Sequence, residues 1–227
     1  GIRIGIARGY AGFHDRVDAV FESAIVELRA AGVEIIDDVD LTPADVIRPH
    51  ERVVMEYEFK HGLQRYLATR DNNTKVRTLE DVIAFNRRNA STVMPHFAQE
   101  ILEQSQCRGT LIDAHYRHAR EQSLILAARE GIDTVIGQHR LDALLAPTAS
   151  PAWLIDWVCG DNRRGGAACP AAVAGYPHVT VPMGYVEHLP VGLSFFAGAF
   201  SDREVIRIAH TYEVNRGHLE PPRVRQS

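Results

Sequence analysis

The chain has 227 residues, enough for one domain or two and for a sizeable hydrophobic core. At 45% hydrophobic, 24% charged and a net charge of −4, it has the balance of an ordinary globular protein, with no basic excess that would ask for nucleic acid or an anionic membrane. It holds no apolar run of about 18 residues, the length a membrane-spanning helix needs. Of its 25 basic residues only Lys60 and Lys75 are lysines. Cys107, Cys159 and Cys169 form an odd, sparse set unlike a disulfide scaffold, which favours a reducing compartment. The strand-like start Gly1–Ala7 lacks the pattern of a secretory signal, so a cytoplasmic location is the expectation. The missing initiator methionine leads to the expectation of a processed or truncated chain.

In chain order, residues 1–40 read as a βαβ unit. Ile2–Ala7 is a strand, and Asp15 then opens a helix. Val17, Val20, Phe21, Ala24, Ile25 and Leu28 fall on one helical face. Asp15 suits the N-cap, Gly32 the left-handed stop, and Val33–Ile36 the second, parallel strand. Residues 42–138 are mainly helical. Thr42-Pro43-Ala44-Asp45 reads as a helix start, and Arg52–Leu67 has Val53, Tyr57, Leu63 and Leu67 for a buried side. After a turn at Asp71-Asn72-Asn73-Thr74, Thr78 caps a helix over Leu79–Asn86. A short helix follows over about 96–104, and a long one over about 110–137 with a break near Gly131.

The section 141–217 returns to strands. Asp142–Ala146 is a buried strand, Ala167–Ala174 a helix of small residues, and His178–Val181 and Val191–Phe196 are strands joined by a turn-rich link. Ser201-Asp202-Arg203-Glu204 has the pattern of a capping box before a last amphipathic helix, with Val205, Ile208, Ala209 and Tyr212 inward. The tail 218–227 is polar.

Taken one at a time, the chemistry-bearing residues support bland readings. Gly5, Gly9 and Gly12 with Asp37-Asp38 imitate a dinucleotide site, but the spacing is wrong and favours a tight strand-to-helix connection. Asp113, His115 and His118 lack a further ligand and read as a solvated face, so no metal site is expected. Cys159 with His178 or His188 is a conceivable nucleophile pair, whereas Cys169 reads as core. Arg163-Arg164-Gly165-Gly166 offers anion binding or, more simply, a flexible start to the helix that follows. No serine lies in a G-x-S-x-G turn.

Four blocks taken together are more specific. Asp142–Thr148, Ala171–Pro177, Val179–Gly184 and Leu189–Ser194 resemble, in order and spacing, the C-terminal half of amidase-signature hydrolases. Tyr57–Lys60, Tyr66-Leu67, Arg77–Leu79, Ile83–Asn86 and Gln99-Glu100 are similar to the peptide-amidase subgroup, so the likeness runs from about Ile2 to Gly217. The resemblance implies an α/β fold with a mixed β-sheet flanked by helices. It also implies hydrolysis of linear carboxamides by a serine nucleophile, with a second serine as proton relay and a lysine base, and no cofactor. A lysine serves as base only where its surroundings keep it neutral.

Those three residues and the Gly/Ser-rich signature lie upstream of anything resembling Gly1, and neither Lys60 nor Lys75 matches the base. Glu58, Phe59 and Lys60 are expected to fix helices, through an ion pair and an anchor. The expectation is therefore a C-terminal portion of an amidase domain over 1–217, with the N-terminal catalytic half missing and no catalytic residue of its own. By the same resemblance, Trp153, Asp156, Trp157 and Tyr176 contact a small-molecule amide substrate; packing the loop onto the core is their competing use. The expected partners are that substrate and the missing half of the domain, with neither nucleic acid nor membrane. Self-association through uncovered apolar surface is also expected. The alternative is a stand-alone, non-catalytic binding or assembly module on the same scaffold.

Overall fold

A computed structural model describes residues 1–37, 39–71 and 75–222. Asp38, the centre of the turn expected at 71–74 and the last five residues of the tail lie outside the described residues. The chain divides into two compact units, Gly1–Ile47 with Ser123–Ser227, and Arg48–Gln122.

The first unit is built on a mixed five-stranded sheet in the order β2-β1-β3-β5-β4. Its strands are β1 (Arg3–Ile6), β2 (Glu34–Ile36), β3 (Ala143–Pro147), β4 (His178–Val186) and β5 (Leu189–Phe196). β1 runs parallel to both β2 and β3, whereas β5 is antiparallel to β3 and to β4. The βαβ reading of residues 1–40 holds, with α1 (Asp15–Ala30) between the parallel strands and Gly32 at φ +84 behind it. The N-cap is His14, one residue before the expected Asp15, which joins Asp18 as an acid of the first turn.

One sheet face packs on α1 and on α9 (Asp202–Arg216). Phe21, Ile25, Val205 and Ile208 meet Ile4, Ile6, Leu145, Leu193 and Phe195 there. Fully burying side chains of this size stabilises by roughly 1.5–3 kcal/mol each. The other face packs Leu144, Ala146 and Phe196 against Tyr10, Ile132, Val135 and Ala171. These come from the 3-10 turn Arg8–Tyr10, from the chain around 132–135 and from α8 (Ala168–Ala174).

Three expectations are corrected here. The link after Val181 is strand: β4 continues to Val186 and turns at Glu187–His188 into β5. Pro182 does not end β4: β4 is an edge strand and its register with β5 shifts between Pro182 and Gly184, the kind of place where a strand tolerates proline. Ser201 is the N-cap of α9 but makes no side-chain capping bond, for its ψ of 20° is not extended and Glu204 is held by Arg207. The break expected at Gly131 is instead a π-helical stretch, Ile125–Asp133, between α6 (Ala114–Leu124) and α7 (Thr134–His139). A Cβ on Gly131 would stand 2.6 Å from the Leu126 carbonyl oxygen.

The second unit holds most of α2 (Ala44–Ala68), which passes through Pro49, and α3 (Leu79–Arg88), α4 (Ala90–Val93) and α5 (Glu100–Gln106). α3 carries the capping box that α9 lacks: Thr78 sits at φ −130, ψ 165, so its hydroxyl reaches Asp81 N while Asp81 returns a bond to Thr78 N. Tyr57 is buried as expected. Beside it the buried Glu56 accepts from Arg52 (2.9 Å) and Arg108 (2.8 and 2.6 Å). Glu58 accepts from Tyr116 and makes no ion pair with Lys60, correcting the expected pair. Lys60 does anchor: its Nζ donates to the carbonyls of Gln106 (2.9 Å) and Arg108 (2.6 Å).

Burial alone would raise the Glu56 carboxyl, but the two guanidinium groups overcome it and hold the pKa below its usual 4.5. A depressed carboxyl stabilises the fold above about pH 4.5, and that contribution is lost as pH falls through the lower folded value. Glu56→Gln is expected to cost about 2 kcal/mol at pH 7 and to flatten the acid limb of stability against pH, read by urea unfolding from pH 3 to 7.

Candidate functional site

β1 and β3 are adjacent and parallel, so the loops that leave their carboxyl ends emerge together, the place where open α/β sheets build sites. The loop after β1 and the first turn of α1 bring His14 and Arg16. The loop after β3 brings Ser150, Trp153, Asn162 and Arg164, and the β4–β5 turn brings Val186, Glu187 and Leu189. These residues enclose a cavity of about 480 Å³. Arg16 and Glu187 form an ion pair on its rim. His14 Nδ1 and Ser150 Oγ, both lining it, are buried without a hydrogen-bond partner.

The long loop is held at its base and at its tip. At the base Ala149 bridges Gly166, Thr148 N donates to the Gly192 carbonyl (2.8 Å) and Ala167 N to the Thr148 carbonyl (3.1 Å). Gly166 takes φ +148, and a Cβ there would stand 2.6 Å from Thr148 O, so the position admits only glycine. Gly165 is equally close to the Phe13 ring. The helix start expected at Arg163–Gly166 is pinned at Gly166 by that single bridge, and Arg164 lines the cavity. At the tip, Asp156 Oδ1 accepts from Val158 N (2.9 Å) and Cys159 N (2.8 Å), which lowers its pKa.

The four substrate-contact candidates are not gathered in one place. Trp153 lines the cavity and donates from Nε1 to Asp161 (3.1 Å). Asp156 organises the loop tip, and Trp157 stands beside it, half exposed. Tyr176 follows α8, with its hydroxyl on Asp133 at 2.9 Å. Leu154 and Val158 are 91% and 93% exposed, an apolar tip turned to solvent. His14, Ser150, Asn162 and Arg164 carry no common sequence signal, since only the sheet order brings them together.

A polar network lies on the sheet face that α8 leaves uncovered at β4 and β5. Thr148 Oγ1 meets Thr180 Oγ1 (2.6 Å) and Ser194 Oγ (2.8 Å), and Ser194 Oγ meets His178 Nε2 (2.7 Å). Gly192 makes room, as a Cβ would stand 2.7 Å from both threonine hydroxyls. Burial lowers the His178 pKa and keeps the ring neutral at pH 7. A serine on a neutral imidazole has the parts of an activated nucleophile, but Ser194 is 0% exposed and cannot meet a carbonyl carbon. Asp37, the acid of the dinucleotide reading, is engaged by Arg8. His115 packs on Tyr57 and His118 on His50, and no group of three metal-ligating side chains occurs among the described residues.

Residues 1–206 match the family described as Amidase. This chain belongs to the amidase family. Among solved structures, the amidase chain is similar to the peptide amidase in complex with the competitive inhibitor chymostatin, at 38% identity and TM-score 0.89, covering 99% of this chain and 45% of that one. The native peptide amidase from Stenotrophomonas maltophilia matches at 37% and 0.86, over 98% and 44%. An amidase family protein from Bacillus anthracis matches at 26% and 0.78, over 99% and 40%. A curated relative from Pseudomonas fluorescens, a glutamyl-tRNA(Gln) amidotransferase subunit, is 25% identical over 95% of this chain and 45% of its own length. The chain therefore spans about half the length of the relatives it matches. The mixed sheet flanked by helices is the fold expected, and among the described residues no helix is long and apolar enough to cross a membrane.

If Asp156 serves the loop tip, Asp156→Ala is expected to speed amide hydrogen exchange at Val158 and Cys159 at least about tenfold while moving the thermal midpoint little. Exchange measured by NMR or mass spectrometry reads this directly.

Proposed function

We propose that this chain is the C-terminal part of an amidase that hydrolyses linear carboxamide C–N bonds through a serine acyl-enzyme. Nucleophile, relay and base lie outside residues 1–227. The observation that carries the reading is the asymmetry of the match: 99% of this chain against 45% of the peptide amidase, at TM-score 0.89. The side chains agree with it. Ser194 is sealed from solvent, and Lys60 Nζ is spent on two backbone carbonyls.

In this reading the chain supplies a wall and not the chemistry. The cavity at the carboxyl ends of β1 and β3 receives part of the amide substrate, with Trp153 as its apolar surface. Asp156 shapes the loop, and Trp157 and Tyr176 contact substrate only where the rest of the enzyme closes over them. The exposed tip at Leu154 and Val158 and the uncovered face of β4 and β5 are where the remaining half of the domain docks. In isolation these surfaces favour self-association. Three thiols free of disulfides suit a reducing cytoplasm. Identity of 38% to the peptide amidase against 25% to the amidotransferase protein favours a small amide over a tRNA-borne one.

The purified chain 1–227 is expected to show no turnover of simple carboxamides such as benzamide, whereas a longer polypeptide that carries it hydrolyses them. In that polypeptide Trp153→Ala is expected to raise KM about tenfold with kcat nearly unchanged. Hydrolysis by residues 1–227 alone, lost in Cys159→Ala, would replace this reading with a cysteine mechanism. A longer polypeptide with no amidase activity would favour the non-catalytic module.

A further inference from the structure

The Arg163-Arg164-Gly165-Gly166 motif, which allows anion binding by its sequence, meets the substrate cavity at Arg164. The backbone that carries Arg164 is fixed on two sides. A Cβ on Gly165 would collide with the Phe13 ring, so the chain there lies directly against the loop after β1. Gly166 is bridged to Ala149, just past β3. A side chain on such a base gives up less freedom when it closes on a ligand than one carried by a mobile loop.

The charges around the cavity are unequal. Arg16 and Glu187 both line it, and as an ion pair they offset one another. Of the carboxylates on the long loop, Asp156 is engaged by the amides of Val158 and Cys159, and Asp161 by Trp153 Nε1. Arg164 makes no ion pair among the described residues, so its positive charge is the excess one in the lining. Trp153, Val186 and Leu189 are apolar walls, beside which a single charge acts more strongly than it does in open water. An excess of this sign favours an anionic group and repels a cationic one. We propose that Arg164 sets the charge preference of the substrate cavity, so that the enzyme favours linear carboxamides that carry a carboxylate on the group seated against Trp153. The inference rests on the amidase reading and on this cavity being part of the substrate site. About 480 Å³ holds a group the size of a substituted benzene ring.

The test compares 4-carboxybenzamide, 4-(hydroxymethyl)benzamide and 4-(aminomethyl)benzamide, which at pH 7 are anionic, neutral and cationic. In the longer polypeptide kcat/KM is expected to fall in that order, with the anionic amide at least about tenfold above the cationic one. Arg164→Gln is expected to bring the three within about threefold of one another, and Arg164→Glu to reverse the order; ratios compared between variants remove differences in intrinsic reactivity. Arg164 is exposed, so neither substitution disturbs the core. Binding to chain 1–227 needs no turnover. It is read in Trp157→Phe, where Trp153 is the one remaining tryptophan and its emission reports the cavity. The same order of affinity is expected there, again lost in Arg164→Gln. Charge-selective binding with no turnover in the longer polypeptide would sink the amidase reading and leave the preference of the cavity standing. Turnover indifferent to charge, or binding indifferent to charge where there is no turnover, would overturn the inference. So would an order that Arg164→Gln leaves unchanged, the result expected if the remaining half of the domain neutralises the arginine.

Discussion

The first unit depends on one strand. β3 is buried at every residue and pairs on both sides, in parallel with β1 and antiparallel with β5. Its side chains divide between two cores: Ala143 and Leu145 face α1 and α9, while Leu144 and Ala146 face the layer that includes Tyr10 and α8. A strand covered on both faces must be apolar throughout, and Ala-Leu-Leu-Ala-Pro is. Removing it would separate the parallel βαβ half of the sheet from the antiparallel hairpin half.

The same strand places the candidate site. Its carboxyl end, level with that of β1, releases the loop carrying Trp153 and Arg164, and its pairing with β5 brings the β4–β5 turn to the same rim. Just past β3, Thr148 begins the hydroxyl network that runs through Ser194 to His178 and Thr180. That network is polar where the rest of the sheet is apolar, and it reaches the surface at Thr180 with Ser194 sealed beneath. On the reading proposed above, it is a surface prepared for the remainder of the enzyme, and the sealed Ser194 is a structural hydroxyl.

How much of this was legible in the sequence depends on the range of the interactions involved. Local patterns sufficed for α1, with its 3.6-residue apolar spacing, and for α3, where Thr78 and Asp81 lie three residues apart. They misled at Ser201–Glu204, where an Arg207 one turn on takes the glutamate that a capping box needs. They mislead again after Val181, where the expected turn-rich link is a continuation of β4, an edge strand that only the sheet order reveals. The cavity was the least visible feature. His14 and Arg164 stand far apart in the chain and meet only because β1 and β3 are neighbours. Residue type and loop position point to Trp153, and they point equally to Asp156, whose carboxylate is occupied by two backbone amides.

On the reading proposed above, the chain carries an amidase scaffold without the nucleophile. The most direct test is to expose folded chain 1–227 to a fluorophosphonate, which phosphonylates activated serines, and to weigh the intact protein. The account predicts an unchanged mass, because Ser194 is paired with a neutral His178 but sealed from solvent. A stoichiometric adduct on Ser194 that disappears in His178→Ala would contradict it.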